Sequence, residues 1–173
     1  MQQASVVGAD PLNKIVIGVA DVAVTTDPTA TLITYALGSC IGVTVWDPEV
    51  RVGGLLHFML PTADGNDAKV NDRPAMFGDV AVPRLFKSVY DLGGKKDRLI
   101  VCAAGGAEVM GDDGHFKIGS RNRTILRKLF WKNNVLLAAD ETGGMHSRTL
   151  TLRMHDGAVS VRSQGTERVL WQG

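Results

Sequence analysis

Charge of one sign, cysteine and long apolar runs are all scarce in this chain. Its 19 Lys and Arg offset 18 Asp and Glu, a formal net charge of +1, so there is no electrostatic case for nucleic acid. The one basic run, Arg121, Arg123, Arg127, Lys128 and Lys132, has the spacing of a solvated helix face, and no aromatic stacking platform accompanies it. Two cysteines in 173 residues are too few for a secreted disulfide framework. No apolar stretch approaches the roughly 20 residues needed to cross a bilayer. The first ten residues have neither the basic region nor the apolar segment of a secretory signal. These absences lead us to expect a cytoplasmic protein with reduced thiols and no membrane insertion. Metal and cofactor motifs are absent too. No C-x₂-C or H-x₃-H spacing joins Cys40, Cys102, His115, His146 or His155. Gly105-Gly106 and Gly143-Gly144 fit no phosphate-binding glycine pattern, and we expect neither metal nor cofactor.

What is present reads as an ordinary globular domain, 45% hydrophobic and 21% charged. Residues 1–12 read as a flexible leader and 13–173 as one domain. Lys14 to Thr25 is β-branched and apolar, enough for one or two strands. Two strands flank the Gly38-Ser39-Cys40 turn, and a third, opened by Gly53-Gly54, carries His57. Thr62 to Arg73 is polar and rich in turn formers, and reads as a flexible surface loop. Helical spacing over Asp79–Leu92 predicts a helix starting near Val80, so that Pro83 falls in its first turn. A second amphipathic helix is predicted over Asn122–Lys132. Strands are predicted at Arg98–Ala104 and Val135–Ala139, and a hairpin turns at His155-Asp156-Gly157. The fold class is therefore α+β (mixed α/β), a single compact domain of β-rich layers with two amphipathic helices.

Chemistry concentrates in Thr34-Tyr-Ala-Leu-Gly-Ser-Cys40 and in His57, seventeen positions further on. A cysteine in a small-residue turn, with a histidine on the next apolar segment, can carry out thiol acyl transfer. The thiolate is the nucleophile, and imidazole can take the proton and return it to a leaving amine. The residues alone leave a second reading open. A free cysteine also packs as a small hydrophobe, and His57 among Leu55, Leu56, Phe58 and Met59 also reads as a core residue.

Several motifs together resemble the CheD family of chemoreceptor glutamine deamidases. They are Thr34, Leu37-Gly38-Ser39-Cys40, Asp47-Pro48 and Gly53-Gly54-Leu55-Leu56-His57-Phe58-Met59-Leu60-Pro61. Downstream follow Asp79, Gly105-Gly106-Ala107, Ile118-Gly119-Ser120-Arg121-Asn122, and Gly143-Gly144 with Arg148. The resemblance implies a cysteine amidohydrolase that converts glutamines of methyl-accepting chemotaxis receptors to glutamate through a thioester, and it allows hydrolysis of glutamyl methyl esters through the same intermediate. It implies Cys40 as nucleophile, His57 as general base and acid, and Thr34 as the third member of the triad. Gly38 and Ser39 would form the oxyanion turn, with Arg121 and Asn122 supporting from behind. The alternative it implies is a non-catalytic module that binds a CheC-type phosphatase.

Overall fold

The computed structural model describes residues 13–108 and 117–173. Its strands are β1 (Lys14–Val16), β2 (Asp21–Thr25), β3 (Thr31–Leu37), β4 (Ile41–Asp47), β5 (Val52–Phe58), β6 (Ile100–Gly105), β7 (Ala139–Thr142), β8 (Arg148–Arg153), β9 (Val159–Ser163) and β10 (Thr166–Trp171). The α-helices are α1 (Asp67–Asp72), α2 (Gly78–Asp91) and α3 (Ile118–Lys132). One sheet has the order β1-β3-β8-β9-β10 and the other β2-β5-β4-β6-β7.

The second sheet is the middle layer. Toward the first sheet, Trp46, Leu55, Cys102 and Ala104 pack on Leu32, Leu37, Leu150, Leu152 and Val159. Toward the helices, Val43, Val45, Leu56 and Phe58 pack on Val82, Leu85, Phe86, Val89, Leu126 and Phe130. Phe86 and Phe130 meet edge to face at 6.0 Å and join α2 to α3. Because both faces are covered, every residue of β4 and β5 is buried, and these strands read as continuous apolar runs rather than alternations. The first sheet has one wet face, and there β8 alternates. No described helix is long and apolar enough to cross a membrane.

The far end of β4 is closed by Asp47. Its carboxylate accepts the backbone N–H groups of Glu49, Val50 and Lys95, and the Arg98 guanidinium at 2.7 Å. Burial alone would raise its pKa, but Arg98 and these N–H groups outweigh that and hold the carboxyl below its ordinary value.

Several elements differ from expectation. Pro83 lies inside α2 rather than in a helix starting at Val80. A proline there costs about 3 kcal/mol in a free helix, and the buried face of Val82, Leu85, Phe86 and Val89 offsets it. The loop from Thr62 to Arg73 holds α1, capped by Asn66, whose side chain accepts the Lys69 N–H. The apolar stretch from Val135 is not a strand. Leu136 is exposed, and pairing with β6 begins only at Ala139, because register with a neighbour decides an edge strand more than propensity does. β10 was not expected. It returns through Gln164-Gly165, both at positive φ (50° and 78°), the geometry of a two-residue hairpin turn. The leader and His115 lie outside the described residues.

Candidate active site

The chain passes from the first sheet to the second at the segment that carries Cys40. The β3–β8 ladder is regular up to Thr34, then shifts before Leu37. Ala36 in this bulge has φ 55°, so the left-handed residue that redirects the strand is an alanine just ahead of Gly38. Bulges bend and twist a strand, and this one delivers residues 38–40 to the start of β4. Thr34 therefore sits on one sheet and Cys40 at the corner, while His57 sits on β5 of the other sheet.

Register brings the three together. His57 pairs with Gly42 across β4–β5, and Cys40 lies two residues before Gly42, a diagonal neighbour of His57. Gly42 is needed for close approach, since a Cβ there would fall 2.8 Å from Leu150 Cδ2 and 2.9 Å from Leu37 Cδ1. Cys40 packs at the margin of the apolar cluster between the sheets. His57 is 1% exposed and reaches across that gap to Thr34.

The hydrogen bonds define the imidazole. Thr34 Oγ1 lies 2.7 Å from the Ile17 carbonyl and 2.7 Å from His57 Nδ1. A carbonyl can only accept, so the single hydroxyl proton goes to Ile17. Oγ1 must then accept from Nδ1–H, which assigns the tautomer. The other nitrogen, Nε2, is buried with no hydrogen-bond partner, and in this tautomer it carries a free lone pair. Burial lowers the His57 pKa below its ordinary 6.5, so the ring is neutral at pH 7. Burial also raises the Cys40 thiol above 9.0, opposed by its own backbone N–H. The resting pair is thus thiol and imidazole, not thiolate and imidazolium.

The turn itself is clamped through its carbonyls. Gly38 O accepts from Ala107 N–H at 2.8 Å and Cys40 O from Gly106 N–H at 2.8 Å. Ser39 O accepts from Asn122 Nδ2 at 2.9 Å, and the same amide nitrogen lies 3.0 Å from Met59 O. Gly105 (φ 104°) allows β6 to come this close, because a Cβ there would sit 2.3 Å from Cys40 O. The Gly38 N–H is occupied by Ala36 O. No carbonyl among the described residues takes the Ser39 or Cys40 N–H outside the strand ladders. The Cys40 N–H lies toward its own sulfur.

Of the residues singled out from sequence, Thr34 and His57 are hydrogen-bonded, Asn122 holds the Ser39 carbonyl of the Gly38–Cys40 turn, and register sets Cys40 diagonally from His57 without a hydrogen bond to Nε2. Arg121 is exposed on α3 and takes no part in these bonds. Sequence reasoning missed the Ile17 carbonyl, since a backbone acceptor leaves no side-chain signal. Cys102 is fully buried inside β6, its thiol pushed up to about 11 by burial. Among the described residues, no three of His, Cys, Asp and Glu lie close enough to hold a metal ion. A cleft of about 300 Å³ between α2 and α3, lined by Val82, Phe86, Tyr90, Leu129 and Phe130, contains none of the site residues.

A thiol, an imidazole and a hydroxyl therefore lie near the corner of the two sheets, the residue types that a thiol-dependent hydrolase uses. Residues 59–163 match the family model described as CheD chemotactic sensory transduction. The chain is 44% identical over 154 residues to the probable chemoreceptor glutamine deamidase CheD 1 of Syntrophus aciditrophicus, covering 89% of this chain and 96% of that one. It is 42% identical to the probable chemoreceptor glutamine deamidase CheD of Solibacter usitatus, over 92% of this chain and 94% of the relative. The chemoreceptor glutamine deamidase CheD of Thermotoga maritima is 34% identical, over 88% of this chain and 93% of that one. The chain belongs to the CheD family.

Proposed function

We propose that this protein is a chemoreceptor glutamine deamidase with Cys40 as nucleophile, His57 as general base and acid, and Thr34 as the residue that orients the imidazole. The observation that carries this reading is the Thr34 hydroxyl, which donates to Ile17 O and so makes His57 Nδ1 the donor and Nε2 the open base. As a glutamine side chain arrives, the Cys40 proton passes to Nε2 and a carbon–sulfur bond forms at the carboxamide carbon. The carbonyl electron pair moves onto oxygen, which accepts from the Ser39 and Cys40 N–H groups in this reading. The imidazolium then protonates the amide nitrogen, the C–N bond breaks and ammonia leaves a thioester. Water attacks next, giving its proton to Nε2. The C–S bond breaks, the proton returns to sulfur, and glutamate is released.

A threonine orients the ring but cannot offset the imidazolium charge as a carboxylate would, so modest turnover is expected. A glutamyl methyl ester gives the same thioester with methanol as leaving group, and we extend the proposal to that reaction. Intact-mass spectrometry of a purified receptor cytoplasmic fragment tests the main reading. Wild type adds about 1 Da for each carboxamide NH₂ replaced by OH, whereas Cys40→Ala adds nothing. No shift from folded wild type across several receptors would overturn it in favour of a binding module for a CheC-type phosphatase.

A further inference from the structure

Three successive carbonyls, those of Gly38, Ser39 and Cys40, are held from one side, and only the middle one depends on a side chain. That side chain, Asn122, is completely buried in α3. Its Nδ2 bridges Ser39 O at 2.9 Å and Met59 O at 3.0 Å, while its Oδ1 has no hydrogen-bond partner. Burying an amide with half its capacity unused is costly. Stability of α3 is already served by Leu126 and Phe130 in the helix–sheet core.

Peptide geometry gives this arrangement its meaning. The described chain contains no cis peptide, so the Cys40 N–H points opposite to the Ser39 carbonyl of the same peptide plane. Holding Ser39 O toward α3 turns the Cys40 N–H away from the helix. The second bond, to Met59 O, lies just past His57 at the end of β5. One amide nitrogen thereby spans the nucleophile's turn and the end of the base's strand.

We infer that Asn122 is a positioning residue for the oxyanion site, fixing the Ser39–Cys40 peptide plane so that the Cys40 N–H faces the substrate oxygen. The inference rests on the thiol-hydrolase reading and adds the residue that prearranges its electrostatic part. It separates two properties of the thiol. Attack on a carbonyl needs the oxyanion donor, whereas displacement of iodide from iodoacetamide forms no oxyanion and needs only an accessible sulfur.

The test compares the two reactions at Cys40 in wild type and Asn122→Asp, which keeps the shape but removes both amide N–H donors. Acylation is followed by the burst of p-nitrophenolate from p-nitrophenyl acetate, and alkylation by iodoacetamide mass labelling. Folding is checked by circular dichroism. Acylation is expected to fall at least ~10-fold, with alkylation and its pH profile within about threefold of wild type. Asn122→Ser, which retains one donor, is expected to recover part of the acylation rate, and it serves as the reading variant if Asn122→Asp does not fold. Unchanged acylation in a folded variant overturns the inference. So does an equal fall in both reactions, which would make Asn122 a support for the thiol alone. A wild type that gives no Cys40-dependent burst would count instead against the thiol-hydrolase reading.

Discussion

The two ends of β4 handle buried polarity in opposite ways. At its C-terminal end Asp47 is fully buried, and both carboxylate oxygens are bonded to backbone N–H groups and Arg98. At its N-terminal end, beside Cys40, lie His57 Nε2 and Asn122 Oδ1, two of the three buried side-chain polar atoms without a partner among the described residues; the third is Arg123 Nε. Native structures leave few such atoms unpaired, and a local departure from that rule marks a functional site. One end of the strand is finished as structure. The other leaves hydrogen-bonding capacity unused.

Substitutions at the two ends should therefore separate activity from stability. The largest expected effect is at the reactive end: His57→Gln should cut receptor deamidation by about 10³-fold with little change in melting temperature, as read by mass spectrometry and circular dichroism. A large drop in stability with it would erase the contrast. Asp47→Asn should do the reverse. It should cost on the order of 2 kcal/mol in urea unfolding, reduced from the fully buried range because Arg98 still meets water, and leave turnover of the folded fraction intact. Its pH dependence has a definite sign. The folded Asp47 pKa lies below 3.8, so its stabilisation is complete above that pH and is lost as pH falls. The gap between wild type and variant should close on acidification below 3.8.

A smaller effect is expected at Thr34. Thr34→Val removes the acceptor for Nδ1–H and should slow deamidation about tenfold, the worth of one hydrogen bond, whereas Thr34→Ser should retain most activity. The smallest effect is in the titration of the thiols. Cys40 alkylation should rise continuously from pH 7 through 9, with no inflection near 6.5, because burial holds the thiol up and the imidazole neutral. A midpoint near 6 would mean a resting thiolate–imidazolium pair. Cys102, pushed up to about 11, should label only on unfolding.

Much of the fold was legible because local pattern and packing agree. Helical spacing located α2 and α3, and alternation with a turn located the β8–β9 hairpin. β10 was missed because Thr166-Glu-Arg is polar and its partner supplies the order, although Gln164-Gly165 was a turn signal. At the site, residue types pointed to Cys40 and His57 without excluding a core role for either. Family resemblance added Thr34, and the 2.7 Å bond to Nδ1 gives that assignment a geometry. Two things could not be read from sequence. The turn's left-handed residue is Ala36, where a glycine would have been the natural guess. The two hydrogen bonds that Asn122 Nδ2 donates, to Ser39 O and Met59 O, join segments far apart in the chain, and no local pattern encodes such a contact. The family model match starts at residue 59, beyond Thr34, Cys40 and His57, so the roles proposed for these three rest on the resemblance and on the Thr34–His57 bond.

The span of the Asn122 contact also has a consequence in time. Ser39 and Asn122 are separated by 83 residues, so a growing polypeptide exposes the Cys40 turn well before the amide that bonds its Ser39 carbonyl exists. At ordinary elongation speeds that interval is roughly 4 to 17 s. Until α3 docks, the Ser39 carbonyl of the nascent chain lacks its Asn122 partner, and under the inference above hydrolytic competence would arrive only with the later part of the molecule.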